Sequence, residues 1–208
     1  MVFRVKQRGK ILEIAQATLD EKGLSALQAR PIAVEANCAI GTLYNIFGSL
    51  DGLILATNAT SLRLLLQSVS QALVEVRDQP LEVKLQRLAS AYLDFAIAHP
   101  NRWRAIFEHQ VQSPDQITRD YREQHTALLD LAIDVVGPFI DDESRRAATA
   151  YAIFGSIHGI IALALDRKTG DFDHAQTRWQ VQRVISLLTQ GLNAEKTGTA
   201  ASEPTGNV

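Results

Sequence analysis

The sequence predicts an all-α protein, with an N-terminal three-helix helix-turn-helix head fused to a larger C-terminal helical bundle, about nine helices in total. Three observations carry this expectation. Apolar residues recur at intervals of three and four along most of the chain, and period-two alternation is almost absent. Prolines stand at the edges of these periodic stretches, where helices start or stop. Finally, two short helical stretches between residues 28 and 46 are separated by only Asn37-Cys38-Ala39, the spacing of a helix-turn-helix.

The elements follow in order. Lys10 to Glu21 is amphipathic through Ile11, Ile14, Ala15 and Leu19, and Lys22-Gly23 ends it with a basic last turn and a glycine able to adopt the αL conformation. A second short helix spans about Gln28 to Ala36, with Pro31 in its first turn, and a third runs from about Ile40 to Ile46. Asn37 falls where the turn needs a positive φ, which asparagine tolerates better than most residues. A long helix starts near Leu50, with Leu55, Ala59, Leu62, Leu66, Val69, Leu73 and Val76 on one stripe, and ends before Pro80. It leaves the head without a linker, so rigid coupling is expected.

Leu81, Leu85, Leu88, Tyr92 and Phe95 mark the next helix, which His99-Pro100 stops. Asn101 to Gln110 reads as a short aromatic helix. Ser113-Pro114-Asp115 is expected to open another, with serine as cap and proline at the first helical position; its apolar face is Ile117, Tyr121, His125, Leu128, Ala132, Val135 and Phe139, and Gly137-Pro138 closes it. A helix from about Asp142 to Leu165 carries Ala147, Tyr151, Phe154, His158, Ile161 and Leu165. After a turn at Lys168 to Asp171, the last helix covers roughly Asp173 to Leu192. Small polar residues from Ala194 to Val208 predict a disordered tail. The domain reading is therefore residues 1–48 for the head, 49–193 for a ligand-binding and dimerisation domain, and 194–208 for the tail.

Composition narrows the function. The 208 residues hold 21 Lys and Arg against 23 Asp and Glu, and 46% are hydrophobic, enough to bury a core and to exclude a wholly disordered chain. The longest strictly apolar run is Gly159 to Leu165, short of the roughly 20 residues of a membrane span. The basic start leads into Glu13 and Gln16 rather than a signal sequence, so a cytoplasmic location without a membrane partner is expected. One cysteine, Cys38, makes neither an internal disulfide nor a cysteine-type zinc site alone. Charge is asymmetric: residues 1–47 carry six basic and four acidic side chains, and the remainder 15 and 19. A basic head on an acidic body suggests that only the head meets a polyanion, although a solvated arm explains the charge equally well.

Ile11-Leu12, Ala15 and Gly23, then Ile32-Ala33, Ala36, Gly41-Thr42-Leu43-Tyr44, Phe47 and Leu53, resemble the N-terminal signature of the tetracycline-repressor (TetR/AcrR) family of transcriptional regulators. The likeness covers about residues 8–54. The chain departs from that pattern at Asn37 for the turn glycine, Cys38 for a small aliphatic residue, and Ala39 for the Ser/Thr that caps the recognition helix. Ile46 replaces a polar or aromatic residue and Leu50 a lysine, so phosphate-facing groups are expected to be lost there.

The string from Gly41 to Asn45 places the third helix in the major groove. Gly41 and Thr42 keep its start slim, Tyr44 offers a hydroxyl to phosphate, Asn45 reaches a base edge or phosphate, and Ile40 touches a thymine methyl. Leu43 and Phe47 should face inward. Gln28 and Arg30 would hold phosphate at the start of the second helix, and Lys6, Arg8 and Lys10 would add salt-sensitive affinity. One such head reads few base pairs, so a homodimer on a palindromic double-stranded operator is expected, with recognition helices about 34 Å apart or a multiple of it. The resemblance places the dimer interface on the last two long helices, where Ala147, Ala148, Tyr151, Gly155, Gly159, Trp179, Val184, Leu188 and Leu192 offer suitable faces; an intramolecular core would use the same residues. It also implies a small-molecule effector pocket within residues 50–165, sought among Tyr92, Phe95, Trp103, Phe107, Leu128 and His158, residue types that are otherwise ordinary core.

Other chemistries find little support. Gly155-Ser156-Ile157-His158-Gly159 lies mid-helix and lacks the order of a nucleophile elbow. The five histidines are scattered, without a metal-binding pair, and no phosphate or dinucleotide fingerprint exists, so neither a metal, a cofactor nor an enzymatic activity is expected. Two readings remain: a ligand-responsive DNA-binding repressor, or an all-α small-molecule-binding protein whose helix-turn-helix has decayed.

Overall fold

The computed structural model describes residues 2–111, 114–166 and 173–202. Among them are nine α-helices and three 3-10 turns, with no strand. The chain divides into two compact units, Met1–Gln67 with Phe95–Leu128, and Ser68–Asp94 with Leu129–Val208. The first unit thus takes in more than the head of residues 1–48.

In the first unit, α1 (Val2–Lys22), α2 (Ala29–Glu35), α3 (Ile40–Phe47) and the start of α4 (Leu50–Val74) surround one apolar cluster. Ile11, Ala15, Leu19, Leu27, Ile32, Ala33, Ala36, Leu43 and Leu53 are all at most 2% exposed. Each leucine or isoleucine so buried contributes about 1.5–3 kcal/mol. The first helix begins eight residues before the Lys10 start read from its periodicity, so the basic N-terminus is part of α1. Gly23 takes φ 80°, ψ −179°, open to glycine but distinct from the expected αL cap.

The α3–α4 corner depends on Gly52. Ser49 Oγ accepts from the Gly52 N–H at 3.0 Å, and a Cβ on Gly52 would stand 2.0 Å from the Phe47 carbonyl oxygen. Only a residue without a side chain lets α4 turn off α3 this tightly. Ile46 and Leu50 pack half-buried against the head's core, so these departures from the family pattern fill apolar space instead of merely losing phosphate contacts.

α6 (Pro100–Glu108) docks on the end of α1 and meets α4 at Asn58. Arg102 donates twice to the Asp20 carboxylate at 2.5 Å, and Asn101 Nδ2 to the Asp20 carbonyl at 2.9 Å. Asn58, 1% exposed, donates through Nδ2 to the Ala105 carbonyl at 2.7 Å. His109 Nε2 stands 3.3 Å from Asp51 Oδ1. The next helix, α7, runs Arg119–Val136, later than expected: Pro114–Gln116 is a separate 3-10 turn, and Thr118 Oγ1 accepts from the Tyr121 N–H at 3.4 Å. Ser113, the expected cap, lies outside the described residues.

In the second unit, α8 (Glu143–Leu165) packs against α9 (His174–Ser202). Asp142 caps α8 by accepting from the Ser144 N–H at 3.0 Å, and its hydrogen bonds from Ser144 hold its carboxyl below the ordinary value. Ala150, Ile153, Ile157 and Ile161 of α8 are buried, as are Val181 and Ile185 of α9. By length and composition alone α8 is long and apolar enough to cross a membrane, which its longest unbroken apolar run does not convey. Its apolar side chains at every third or fourth position are those of a core helix. Helix continues through residues 194–202, where the sequence suggests a tail. The remaining residues 203–208 and the expected turn at Lys168 to Asp171 lie outside the described residues.

Candidate nucleic-acid interface and effector residues

The turn between α2 and α3 forms because the end of α2 closes on itself. Cys38 N–H donates to the Ala33 carbonyl at 2.9 Å and Asn37 N–H to the Val34 carbonyl at 3.0 Å, with Asn37 at φ 54°. This is a Schellman ending with asparagine in the left-handed position that glycine usually takes. Ala39 then occupies the cap of α3 at φ −68°, ψ 146°, without a side-chain hydrogen bond. The capping hydrogen bond that a Ser or Thr would supply is absent, as the alanine at this position leads one to expect.

α3 is amphipathic over two turns. Leu43 is fully buried, whereas Ile40 and Tyr44 are each 40% exposed and Gly41 and Asn45 are also exposed. Thr42 is half-buried. Phe47, expected inside, is half-buried, and the Arg8 guanidinium lies 5.5 Å over its ring; the phenyl group is both core and seat for a cation. Lys6, Arg8, Lys10, Gln28 and Arg30 are all exposed.

Two residues absent from the sequence-derived site join this surface. Arg4 Nη2 donates to the Asn45 carbonyl at 2.7 Å, and Gln7 Nε2 approaches the Ala36 carbonyl at 3.4 Å. Together with Thr42, Asn45 and Ile46 they line an open cleft of about 400 Å³. The signal for Arg4 was its place in a cationic run one helical turn before Arg8; without knowing that this run is helical, its reach to α3 cannot be inferred.

The expected effector residues fall on both units. In the second, Tyr92, 3% exposed, shares a 2.8 Å hydrogen bond with His158 Nδ1 and packs edge-on to Phe154 at 5.7 Å. Burial holds the His158 pKa below its ordinary value, which favours the neutral imidazole. In the first, Phe95 and Trp103 are buried, Leu128 is half-buried and Phe107 is 37% exposed; the Trp103 and Phe107 rings meet at 5.4 Å, tilted by 53°. Asn58, which no sequence pattern singled out, holds a buried carboxamide oxygen without a hydrogen-bond partner. Of the expected interface residues, Ala147, Ala148, Tyr151, Gly155 and Trp179 are exposed, and Gly159, Val184, Leu188 and Leu192 are half-buried. Among the described residues no cluster of three or more His, Cys, Asp or Glu could hold a metal ion.

The family model for the tetracyclin repressor-like C-terminal domain matches residues 85–186. The chain is 26% identical over 115 residues to the HTH-type transcriptional regulator BetI of Paraburkholderia phymatum, an alignment covering 54% of this chain and 58% of that protein. Similar folds are found in a protein of unknown function from Rhodococcus sp. RHA1 (TM-score 0.71, 22% identity, 89% of this chain and 94% of that one). A tetR-family transcriptional regulator from Streptomyces coelicolor is also similar (TM-score 0.68, 16% identity, 94% and 86%). The match over α5 (Leu81–Ala98) to α9 and the helix-turn-helix geometry of α2 and α3 agree: residues 85–186 belong to the tetracyclin repressor-like C-terminal domain family, and the chain is similar to regulators of the tetracycline-repressor family.

Proposed function

We propose that the protein is a ligand-responsive repressor that binds a palindromic operator as a homodimer in the cytoplasm. The observation that carries the reading is the exposed face of α3, where Ile40, Gly41, Tyr44 and Asn45 face solvent beside the cationic first turns of α1. Tyr44 and Asn45 contact phosphate and base edges, Ile40 a thymine methyl, Thr42 the groove wall, and Gln28, Arg30, Lys6, Arg8 and Lys10 the flanking phosphates. Gel shift on the DNA upstream of its own gene tests this. Tyr44→Ala and Arg30→Ala should each weaken binding at physiological salt, and unchanged affinity in both would overturn the assignment.

Dimerisation uses the outer face of α8 and α9. Gly155 and Gly159 support this because a Cβ at either meets nothing of its own chain within 4 Å. Leu163, Trp179 and Leu187 stand 50–65% exposed, an apolar surface for which a second copy is a natural cover. For the effector, the Tyr92–His158 pair beside Phe154 supplies a polar tip on an aromatic wall, suited to a mainly apolar compound with one or two hydrogen-bonding groups. Such a compound acts only through different affinities for the DNA-binding and released states. A thermal-shift screen followed by operator release with each hit tests the switch; hits that stabilise without releasing DNA would count against it.

A further inference from the structure

The cleft between the start of α1 and α3 contains the makings of an anion seat. Its lining is Arg4, Gln7, Thr42, Asn45 and Ile46, without a carboxylate. Gln7 and Asn45 carry amide donors and Thr42 a hydroxyl. Arg4 spends one N–H on the Asn45 carbonyl at 2.7 Å. A guanidinium has five such donors in a planar fork, a shape that matches two oxygens of a phosphate.

Position matters as much as composition. The donor set straddles two helices, with Arg4 and Gln7 on α1 and Thr42 and Asn45 on α3. The first turns of α1 are fastened to the head by three contacts: Arg4 on Asn45, Gln7 near Ala36, and Arg8 over Phe47. Arg4 is therefore presented from an ordered helix and loses less freedom on binding than a residue of a flexible arm. The cleft opens beside exposed Asn45 and Tyr44, so an anion bound there lies next to whatever α3 reads.

We propose that this cleft seats one phosphodiester of duplex DNA, with Arg4 as its principal ligand. The contact fixes how far α3 advances along the groove, because the same guanidinium holds the backbone of α3 and the phosphate. The proposal rests on the reading of α3 as a DNA-contacting helix, and its test separates the two.

Fluorescence anisotropy with the full chain and a 30-base-pair duplex of arbitrary sequence, between about 50 and 200 mM KCl, reads the phosphate term directly. Loss of one phosphate contact makes the slope of log K against log salt shallower by about 0.9, and a dimer engaging the duplex with both heads loses two, so Arg4→Ala should lose about 12-fold less affinity over that fourfold rise in salt. Arg4→Lys restores the charge and the slope while binding more weakly than the parent, because a point charge replaces the fork. Arg145→Ala, an exposed cation on α8, leaves the slope unchanged. Weaker binding of Arg4→Ala with an unchanged slope would mean that Arg4 acts only by holding α3, and would overturn the phosphate seat. Inorganic phosphate at constant ionic strength should weaken duplex binding by the parent more than by Arg4→Ala, because it competes for the same seat; equal weakening of both would also overturn the phosphate seat. A parent chain that fails to bind duplex at any salt would overturn the DNA reading itself, and this proposal with it.

Discussion

Asp20, two residues before the end of α1, receives both arms of the Arg102 guanidinium at 2.5 Å, while its own carbonyl accepts from Asn101. The side chain of Arg102 is only 12% exposed, that of Asp20 43%. One residue on α1 thus collects three hydrogen bonds from consecutive residues on α6, so the helix-turn-helix and α6 move together within the first unit.

Removing Arg102 takes away the largely buried half of that fork and leaves the partly exposed Asp20 carboxylate without it. Hydrogen bonds to charged groups contribute about 1.5–3 kcal/mol, and Asp20's partial exposure reduces the value through screening. Arg102→Ala should therefore lower unfolding stability by about 1–2 kcal/mol, measured by urea denaturation. Arg102→Lys should recover little of it, because an ammonium cannot make the paired contact. A double-mutant cycle with Asp20→Asn isolates the pair; full additivity would show that the two side chains are not energetically coupled.

A Cβ at Gly52 cannot coexist with the Phe47 carbonyl oxygen 2.0 Å away. Gly52→Ala should force α3 and α4 apart at their corner and cost at least about 1–3 kcal/mol, as overpacking does. The higher helix propensity of alanine offsets only about 1 kcal/mol of this. A melting temperature equal to that of the parent would show that the corner relaxes freely.

Ala39 occupies a cap position whose backbone already suits serine, at φ −68°, ψ 146°. A serine Oγ there accepts from the N–H of Gly41 or Thr42, and such caps are worth about 1 kcal/mol. Ala39→Ser should raise the melting temperature by about 2–4 °C. A thermal melt with no gain would mean that the start of α3 is held by its packing alone.

These residues also show what was legible. The helix-turn-helix could be read because its constraints are local: Asn37 is a type of residue that tolerates φ 54°, and small residues bracket the turn. The long helices could be read because a buried stripe repeats every three or four residues. The first turns of α1 could not, since Arg4, Lys6 and Arg8 form no apolar stripe and Val5 is 66% exposed. What accompanies helix there is contact with α3 and the turn, which is distant in sequence. The start of α7 was misread because Ser113-Pro114 is a strong local helix signal, yet the chain forms a separate 3-10 turn at Pro114–Gln116. Gly52 gave no signal, because glycine near the start of an apolar helix is also tolerated without purpose. The sequence likewise proposed aromatic and histidine residues as a group without revealing that Tyr92 pairs with His158 at 2.8 Å.

That pair gives a pH dependence with a defined sign. Burial lowers the pKa of His158 in the folded chain relative to 6.5, so on acidification the unfolded chain takes up a proton first. Stability contributed by neutral His158 is complete above about pH 6.5 and is lost as pH falls toward the folded value. Urea midpoints measured from about pH 8 to 5 should fall more steeply for the parent than for His158→Gln, which does not titrate there. Parallel profiles would show that His158 has the same affinity for protons folded and unfolded.

The outer face of α8 separates folding from assembly. A side chain at Gly155 meets nothing of its own chain within 4 Å, and the residue is exposed. Gly155→Leu should therefore leave the protomer intact, and helix propensity alone adds up to about 1 kcal/mol to its stability. If a partner helix lies across Gly155 and Gly159, the same leucine occupies the space that lets two backbones approach. Sedimentation at micromolar concentration should then show the parent as a dimer and Gly155→Leu shifted toward monomer, with far-UV circular dichroism unchanged. Operator binding should weaken in step with the dimer, because each head alone reads too few base pairs. A parent that sediments as a monomer, or a variant that dimerises as well as the parent, would remove this face from the assembly and send the search for the partner surface to another part of the chain.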